Sequence, residues 1–356
     1  MFNHVKYIYK RLEKHVSSVA FLVGFVLDNL TLRRIDFLLE NIAISAYIIS
    51  AMFGIFCMHM LSERNALFRV LKHYMPLVTQ FAFGGLFSAF FVFYSRSADL
   101  GSSWPFLLIL IAVMVGNEFF HERSRSFIFQ TGVLFLGILS YAIFLVPVIV
   151  GRIGDSIFLV SVVISLCIMF LCVQGAHFFA PLFMKKEKKK VYASTVSIVA
   201  VVSMLYFFHI IPPIPLALKE AGVYHSVSRT NTGYVLKEEV QQWYTYVIPG
   251  ETIHIQRGES LSVWSSVFAP TKFTTSIIHE WQYYDEEDGR FYVRARVPFS
   301  IVGGRDGGYR GFSTKTNITT GRWRVRIETL QGQRIGEKEF DVEIVDAMPE
   351  MREIVR

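Results

Sequence analysis

Charge-poor apolar runs dominate the first 211 residues of the chain and alternate with short polar segments. Because a membrane-crossing helix needs about 20 mainly apolar residues, these runs predict an α-helical transmembrane bundle. The first and fourth runs are short and contain Asp28 and Glu118, so an interfacial or re-entrant position is the alternative for them. We predict seven spans, at about residues 16–31, 39–61, 74–95, 104–120, 126–150, 156–183 and 191–211.

The pattern changes after the proline-rich segment IPPIPLALKEAG at residues 211–222. Its prolines cannot continue a helix, so residues 212–250 are predicted to hold a stiff exit from the membrane and a linker. Within this region, apolar residues of the segment LKEEVQQWYTYV recur at helical spacing. They predict a short amphipathic helix at 236–247.

From residue 252 onward, polar and apolar positions alternate, and Gly, Asp and Pro separate the alternating segments. Such segments are typical of β-strands, and seven short strands in about 100 residues are typical of an immunoglobulin-like sandwich. We therefore predict an all-β sandwich at 251–346 after the helical domain at 1–211, with a tail at 347–356. The predicted strands lie at 252–256, 261–268, 275–284, 291–302, 309–316, 322–330 and 335–345.

Composition and charge support a multi-domain membrane protein. The 356 residues are 52% hydrophobic, with a mean hydropathy of +0.39. Residues 1–218 hold 18 Lys and Arg against 10 Asp and Glu, whereas residues 219–356 hold 18 against 19. The basic excess therefore belongs to the helical domain, where it concerns membrane topology rather than nucleic acid.

The basic residues divide unequally between the two sides of the predicted bundle, with 14 on one side and 4 on the other. Because cytoplasmic loops are enriched in Lys and Arg, we predict a bacterial inner-membrane protein with a cytoplasmic N-terminus and an extracytoplasmic β domain. The largest group is interpreted as a topology anchor, with an anionic lipid head group as an alternative partner. It comprises Lys185, Lys186, Lys188, Lys189 and Lys190.

Ionisable side chains also occur near the predicted cytoplasmic ends of the helices, at His59, Glu118, His121 and His177. Glu118 and His121 have a spacing that helix-bundle metal sites use twice, together with further carboxylates. Because the chain has a single copy, we favour anchoring at the interface, with a metal or proton site as the alternative. The three cysteines lie in apolar runs and are interpreted as apolar filling, so we predict neither a metal nor a cofactor.

Three segments of the β domain, VFAPTKFTTSIIHEWQYYD, VGGRDGGYRGFSTKTN and GRWRVRIETLQGQRIGEKEF, carry a family resemblance. Together they resemble the bacterial domain-of-unknown-function family 2914 over roughly residues 260–345. The resemblance implies a membrane-anchored β domain without an established activity. The matching positions are His279, Trp281, Arg305, Gly308, Tyr309, Arg310, Ser313, Lys315, Gly321, Trp323, Arg324, Val325, Gly336, Phe340 and Val342.

His279 and Trp281 lie two residues apart, so their side chains point to the same face of one strand. With Arg305, Tyr309 and Arg310 they would form a surface for an anionic or sugar-like ligand, through stacking and bidentate hydrogen bonds. The alternative, which we favour, places Trp281 in the core with His279 as a hydrogen-bonded partner. The glycine-rich segment before Tyr309 leads into a strand pattern, so a phosphate-binding loop is not expected.

The segment GRWRVRIETLQG at 321–332 alternates arginines with apolar residues. If the chain turns at Gln331 and Gly332, the next strand places an acidic residue opposite each arginine and Phe340 opposite Trp323. Such pairs contribute about 0.2–1 kcal/mol each and neutralise the basic stripe, so we predict no nucleic-acid binding. The expected pairs are Arg326 with Glu337, Arg324 with Glu339 and Arg322 with Asp341, and Gly321, Trp323 and Phe340 are predicted to be structural.

The chain contains no catalytic motif that we recognise, such as CxxC, HExxH or a Walker loop. Our leading hypothesis is a non-enzymatic interaction module of the cell envelope, held in the lipid bilayer by the helices. Its partner would be an envelope protein or an anionic or glycan ligand. The alternative is a membrane transporter or membrane-embedded enzyme with the β domain as a regulatory cap, and it predicts that Glu118 and His121 face the bundle interior.

Overall fold

The computed structural model describes residues 38–60, 66–97, 100–119, 126–212, 215–231, 233–240, 251–270, 273–302 and 308–356. Contacts divide the chain into a helical unit that ends at Ile211 and a β-sheet unit that begins at Pro212, and the short segment Ser97–Ser102 groups with the second unit. The helical unit contains six described helices, α1 (Leu38–Met60), α2 (Ala66–Ser97), α3 (Leu100–Phe119), α4 (Phe127–Val150), α5 (Asp155–Phe179) and α6 (Pro181–Phe207).

Five of the described helices, all except α3, are long and apolar enough to cross a membrane. The prediction of seven spans is therefore not supported. In α3, the apolar part found among the described residues is Ser103–Met114. The predicted first span, at 16–31, lies outside the described residues.

Contacts between helices show which helix ends lie together. Near the end of α1, His59 Nε2 lies 2.9 Å from Oε1 of Gln130, which is near the beginning of α4. The ring centroid of Phe56 lies 5.1 Å from that of Phe179, at the end of α5. We call this end of the unit, where α6 begins with its lysines, the lysine end.

The helix α3 runs toward the lysine end. The ring centroids of Tyr94 and Phe106 lie 4.6 Å apart, so α3 begins beside the last turns of α2, far from the lysine end. The chain then reaches the beginning of α4, which lies at the lysine end. The polypeptide therefore travels the length of the helical unit between Ser97 and Phe127.

The lysine run lies within a helix, whereas the predicted spans at 156–183 and 191–211 left it between two helices. Only Ala180 separates the end of α5 from Pro181, the first residue of α6. Proline is well tolerated at this first helical position, and lysine and glutamate are good helix formers. Lys185 to Lys190 consequently form the early turns of α6 and are mostly exposed.

The β-sheet unit contains three sheets, with the strand orders β1-β5-β8, β4-β10-β9-β6-β7 and β11-β3-β2. All neighbours are antiparallel except β4 and β10, which are parallel. The described strands are β1 (Ala217–Tyr224), β2 (Ser226–Arg229), β3 (Tyr234–Glu239), β4 (Thr252–Ile255), β5 (Leu261–Phe268), β6 (Thr274–Asp285), β7 (Arg290–Val302), β8 (Tyr309–Lys315), β9 (Gly321–Thr329), β10 (Arg334–Ile344) and β11 (Met351–Val355).

The sheets form three layers, with the β1-β5-β8 sheet in the middle. Val263 of β5 packs in the main core with Trp281, Trp323 and other residues of the five-stranded sheet. The next residue, Trp264, points the other way and packs with Leu236 of the β11-β3-β2 sheet. All eight residues of β5 are consequently buried. This arrangement explains why the segment LSVWSSVF contains no charged residue.

Two predicted segments are wrong. Residues 212–250 were expected to form a linker and a helix, but they contain β1, β2 and β3, and residues 236–239 of the predicted helix belong to β3. Residues 241–250 lie outside the described part. The predicted tail contains β11, whose Ile354 is paired with Leu236. Both errors arise because these strands are stabilised by partners far away in the sequence, which a local pattern does not reveal.

The seven strands predicted between residues 251 and 346 are confirmed, with ends that differ by at most one residue. The predicted hairpin register is also confirmed: Arg326, Arg324 and Arg322 lie opposite Glu337, Glu339 and Asp341, with Trp323 opposite Phe340. Gly332, in the turn, has a φ of 80°, a backbone conformation that favours glycine.

The contact of β11 with β3 should contribute to stability. Replacing Ile354 with aspartate would place a charge against Leu236 and Trp264 and should lower the free energy of unfolding by about 2 kcal/mol. Scanning calorimetry of the full chain would detect this as a lower melting temperature. Glu353→Asp, on the exposed side of the same strand, is the matched control. Equal melting temperatures for the two variants would contradict a packed β11.

Candidate functional site

The predicted ligand surface around His279 and Trp281 is wrong, because both side chains are fully buried, each with 0% exposure. They extend from β6 into the space between the five-stranded sheet and the middle sheet. The His279 ring packs edge-on against Phe299, with 4.8 Å between the ring centroids. The favoured alternative, a core tryptophan beside a hydrogen-bonded histidine, therefore describes this part of the structure.

Two buried serines complete the hydrogen bonding of His279. Its Nδ1 atom lies 2.9 Å from the Ser313 hydroxyl oxygen, and its Nε2 atom lies 2.8 Å from that of Ser265. The indole N–H of Trp281 also donates to the Ser313 oxygen, at 2.9 Å. Because Ser313 accepts from the indole, its own hydroxyl can donate to Nδ1, while Nε2–H donates to Ser265. The resulting chain of hydrogen bonds joins β5, β6 and β8.

Burial lowers the pKa of His279 to about 3, so the imidazole is neutral in the folded protein near neutral pH. Although a histidine beside a serine hydroxyl resembles a general base and its nucleophile, Ser313 is only 3% exposed. A substrate would have to enter the core to reach this pair. The geometry therefore supports a structural role for the histidine and the two serines.

The other predicted ligand residues do not join His279 and Trp281. Tyr309 and Arg310 lie on β8 and are partly exposed, and the backbone carbonyl of Arg310 accepts a hydrogen bond from the Tyr234 hydroxyl at 3.1 Å. Arg305 lies outside the described residues. Trp323 and Phe340, by contrast, are core residues as predicted, each 2% exposed. Gly321 has a φ of 120°, which supports its structural role.

An ordered network of arginines and aromatic rings covers the outer face of the five-stranded sheet. The Arg324 guanidinium donates to Oε1 of Gln282 from two nitrogens, at 2.9 and 2.7 Å, and its carbon lies 3.8 Å from the centroid of the Phe291 ring. Arg322 similarly lies over the ring of Tyr284 at 5.4 Å. These contacts hold both guanidinium groups against aromatic faces.

The network continues across β6 to the edge strand β7. Nε of Arg296 donates to the Glu280 carboxylate at 2.6 Å, and the Gln282 amide donates to the other oxygen of this carboxylate. Arg296 itself is 63% exposed, and Val293 beside it is 47% exposed. We call this region the arginine–aromatic face and define it by Tyr284, Phe291, Val293, Arg296, Arg322 and Arg324.

A second polar cluster, which was not predicted from the sequence, joins the outer layer to the five-stranded sheet. The carboxylate of Glu239 accepts hydrogen bonds from Nε2 of His225 at 3.1 Å and from Nδ1 of His254 at 2.8 Å. Burial alone would raise the pKa of Glu239, but these hydrogen bonds outweigh burial and lower it. The three residues are far apart in the sequence, and no local spacing links them.

The described residues contain no group of three or more His, Cys, Asp or Glu side chains placed to hold a metal ion. In the helical unit, His59 is bonded to Gln130, whereas Nδ1 of His177 is buried and has no hydrogen-bond partner within the described part of the chain. The side chain of Glu118 and all of His121 lie outside the described residues. Their predicted position in the bundle interior stays a prediction.

The buried neutral state of His279 predicts a pH dependence of stability. The unfolded chain binds a proton at this histidine near pH 6.5, whereas the folded protein binds it only near pH 3. Stability from this residue is therefore complete above pH 6.5 and is lost as the pH falls. Between about pH 7.5 and about pH 5, the loss in unfolding free energy should reach about 2 kcal/mol.

The variant His279→Gln should show a smaller loss of stability over the same pH interval, because glutamine does not titrate. Denaturant unfolding of the full chain, followed by tryptophan fluorescence, measures the difference. His209→Gln, at an exposed histidine, is the control and should keep the wild-type pH dependence. An unchanged pH dependence in His279→Gln would contradict the buried neutral histidine.

Comparison with known folds gives low-scoring similarities. An immunoglobulin-like protein from Pseudomonas aeruginosa is 14% identical over 36% of this chain and 96% of its own, with a TM-score of 0.20. A β-glucosidase from Listeria innocua is 14% identical over 36% of this chain and 16% of its own, with a TM-score of 0.20. An alkylpurine DNA glycosylase from Pseudomonas fluorescens is 9% identical over 86% of this chain and 99% of its own, with a TM-score of 0.22.

These TM-scores are too low for the similarities to bear on the function of this chain. No curated protein matches it. The family model described as "Protein of unknown function (DUF2914)" matches residues 274–342, which extend from β6 to β10 and include His279, Trp281, Ser313 and Trp323. The resemblance inferred from the sequence is thereby confirmed, and the C-terminal region of the chain matches the DUF2914 family.

Proposed function

We propose that this chain is a multi-pass protein of the bacterial inner membrane whose β-sheet unit is a non-enzymatic binding module of the cell envelope. The observation that carries this proposal is the arginine–aromatic face. Interfaces between proteins are enriched in tyrosine, phenylalanine and arginine. Here these residues lie together on one exposed sheet face, whereas the histidine and serines that could suggest catalysis are sealed in the core.

The order of the arginine–aromatic face favours binding. Arg324 is held by Gln282 and Phe291, and Arg296 is held by Glu280, before any partner arrives. Side chains that are already ordered lose little conformational entropy on association. Because Arg296 and Arg322 are paired with acidic residues, the face has a balanced charge, and a protein partner fits it better than a polyanion.

The partner is expected to bind the sheet face and not to add a strand at its edge. The strand β7 is the edge of the five-stranded sheet next to this face. It contains Pro298, which has no backbone N–H, and the exposed residues Arg294 and Arg296. Proline and charged side chains are common protections of edge strands against pairing. The hypothesis of an anionic or glycan ligand is not supported, because His279 and Trp281, which were expected to bind it, are buried.

The lysine run supports an extracytoplasmic position for the β-sheet unit. The lysines lie at the beginning of α6, and the chain leaves α6 at the opposite end, after Phe207. If α6 crosses the membrane and its lysines stay in the cytoplasm, the residues after Phe207 emerge on the other side. The proposed orientation therefore depends on this last helix and not on the total number of spans.

Photocrosslinking in native membranes tests the binding surface. A photoreactive amino acid at Val293, within the arginine–aromatic face, should form an adduct of defined mass with one envelope protein. Arg322→Glu in the same protein should lower the adduct yield about fivefold, the effect of losing about 1 kcal/mol at an interface. The adduct would be measured by immunoblotting and identified by mass spectrometry.

The matched control is the same photoreactive residue at Val355, an equally apolar and 65% exposed position on β11. It should give no adduct of that mass. Adducts of equal yield at both positions would indicate random contact, and no adduct at Val293 would contradict a binding role for this face.

A fusion reporter tests the orientation. Alkaline phosphatase joined after Arg356 should be active, because this enzyme needs the oxidising conditions outside the cytoplasm. A green fluorescent protein fused at the same position should be dark, because it does not mature when it is exported in an unfolded state. The opposite result, an inactive phosphatase and a bright fluorescent fusion, would place the β-sheet unit in the cytoplasm and exclude an envelope partner.

A further inference from the structure

The helical unit contains a cavity of about 340 Å³ at its lysine end, between α1, α4, α5 and the first turn of α6. Thr131 carries the one hydroxyl group among its lining side chains, and this hydroxyl donates to the backbone carbonyl of Phe127 at 2.8 Å. A ligand in the cavity would therefore make mainly van der Waals contacts. Its apolar walls include Phe53, Leu134, Met169, Phe179 and Met184.

The length of the cavity matches one leaflet of a bilayer. It follows α1 from Ile49 to Met60, a rise of about 16 Å at 1.5 Å per residue. The hydrocarbon core of a bilayer is about 30 Å thick, so each leaflet contributes about 15 Å. The cavity thus begins at a helix end and stops near the depth at which an acyl chain of one leaflet would end.

The cavity is open toward the surface that lipid would cover. Two of its wall residues, Phe53 and Phe179, are 51% and 64% exposed. Beside them on α5, a Cβ atom added to Gly175 would meet no atom within 4 Å. A chain-like apolar ligand could therefore enter from the side, without passing through the polar end of the unit.

Polar groups lie at the mouth of the cavity. The ring of His59, which is bonded to Gln130, packs edge-on against the wall residue Phe127, with 5.1 Å between the ring centroids. It also stacks on Phe183 of α6 at 6.1 Å. This pair of hydrogen-bonding side chains is placed where the glycerol and phosphate of a lipid in the cavity would lie.

Positive charge surrounds the same mouth. Met184 closes the cavity on α6, and Lys188, one turn later, lies on the same face of that helix. Four further lysines of the run are exposed, and its one acidic residue, Glu187, is bonded to Lys190 at 3.3 Å.

We propose that the cavity and the adjacent lysines form a binding site for one anionic phospholipid. One acyl chain fills the apolar cavity, and the phosphate lies at the mouth, near Lys188 and the His59–Gln130 pair. The apolar walls provide affinity for the chain, and the lysines provide the preference for a net negative head group. The site concerns the helical unit alone and is independent of any partner of the arginine–aromatic face.

Native mass spectrometry of the full-length protein in detergent micelles tests the site. The probes are phosphatidylglycerol and phosphatidylcholine with identical acyl chains. The wild-type protein should retain one phosphatidylglycerol with at least about fivefold higher affinity than phosphatidylcholine, because each lysine near an anionic lipid contributes about this factor. Equal retention of the two lipids by the wild-type protein would overturn the proposal.

Variants of the cavity and of the lysines distinguish the contribution of the lipid's acyl chain from that of its head group. Gly175→Phe places a ring in the open space of the cavity and should lower the retention of both lipids at least about tenfold. Val163→Phe, at a 57% exposed position on the same helix that does not line the cavity, is the matched control and should bind like the wild-type protein. Wild-type retention in Gly175→Phe, at an unchanged melting temperature, would overturn the proposal.

The lysine variant, with Lys185, Lys186, Lys188, Lys189 and Lys190 changed to glutamine, should bind both lipids equally while still retaining phosphatidylcholine. Arg152→Gln, which removes an exposed charge beyond the last turn of α4, should keep the wild-type preference.

Inorganic phosphate distinguishes a lipid from a free anion. If millimolar phosphate displaces the retained lipid, the site binds an anion without a chain, and the proposal fails. If Gly175→Phe does not fold, the comparison of the two lipids in the wild-type protein and the result for the lysine variant still test the proposal.

Discussion

Burial of the strand β5 on both of its faces is the constraint on which the β-sheet unit depends. Two sheets cover this strand, so its alternate side chains belong to different cores: Val263 to one and Trp264 to the other. Its serines are buried as well and need partners within the protein. Ser265 is hydrogen-bonded to His279, and Ser262 is hydrogen-bonded to Thr314 at 2.8 Å. The polar core is thus a consequence of the layer order, and it ties the layers together.

This constraint also determines where a function can lie. A neutral histidine between two serines stabilises the contact of β5, β6 and β8 only while water is excluded, so the same residues cannot also serve a soluble ligand. The groups free to meet a partner are those on the outer faces of the layers. On the five-stranded sheet, cross-strand hydrogen bonds place Arg324 under Phe291 and Arg296 beside Glu280. The regular strand spacing therefore produces an ordered surface as well as a packed core.

Local pattern was enough to predict the six described helices of the helical unit, though not all of their ends, the seven strands from 252 onward and the register of β9 with β10. That register depends on a glycine turn and on charges within one hairpin, as the Arg326–Glu337 pair shows. The outer layer could not be predicted in this way, since Leu236 and Ile354 are paired across more than a hundred residues. The partners of His279 on β5 and β8 are likewise non-local. The Glu239 cluster depends on the same long-range pairing, so its histidines had no signal in the sequence.

The lysine run shows that a charged segment between two apolar runs can belong to a helix. The predicted spans left this run between two helices, yet the helix α6 begins before it, at Pro181. The apolar part of α6 after Lys190 rises about 26 Å to Phe207, close to the thickness of the hydrocarbon core. If α6 crosses a membrane, the lysine turns lie in the head-group region, because charged side chains are costly in the hydrocarbon. Because a single residue separates α5 from α6, these turns lie next to the end of α5. A helix, unlike a loop, holds Lys188 on the face that bears Met184, one turn from the apolar cavity, with its Nζ atom 5.7 Å from the centroid of the Tyr192 ring.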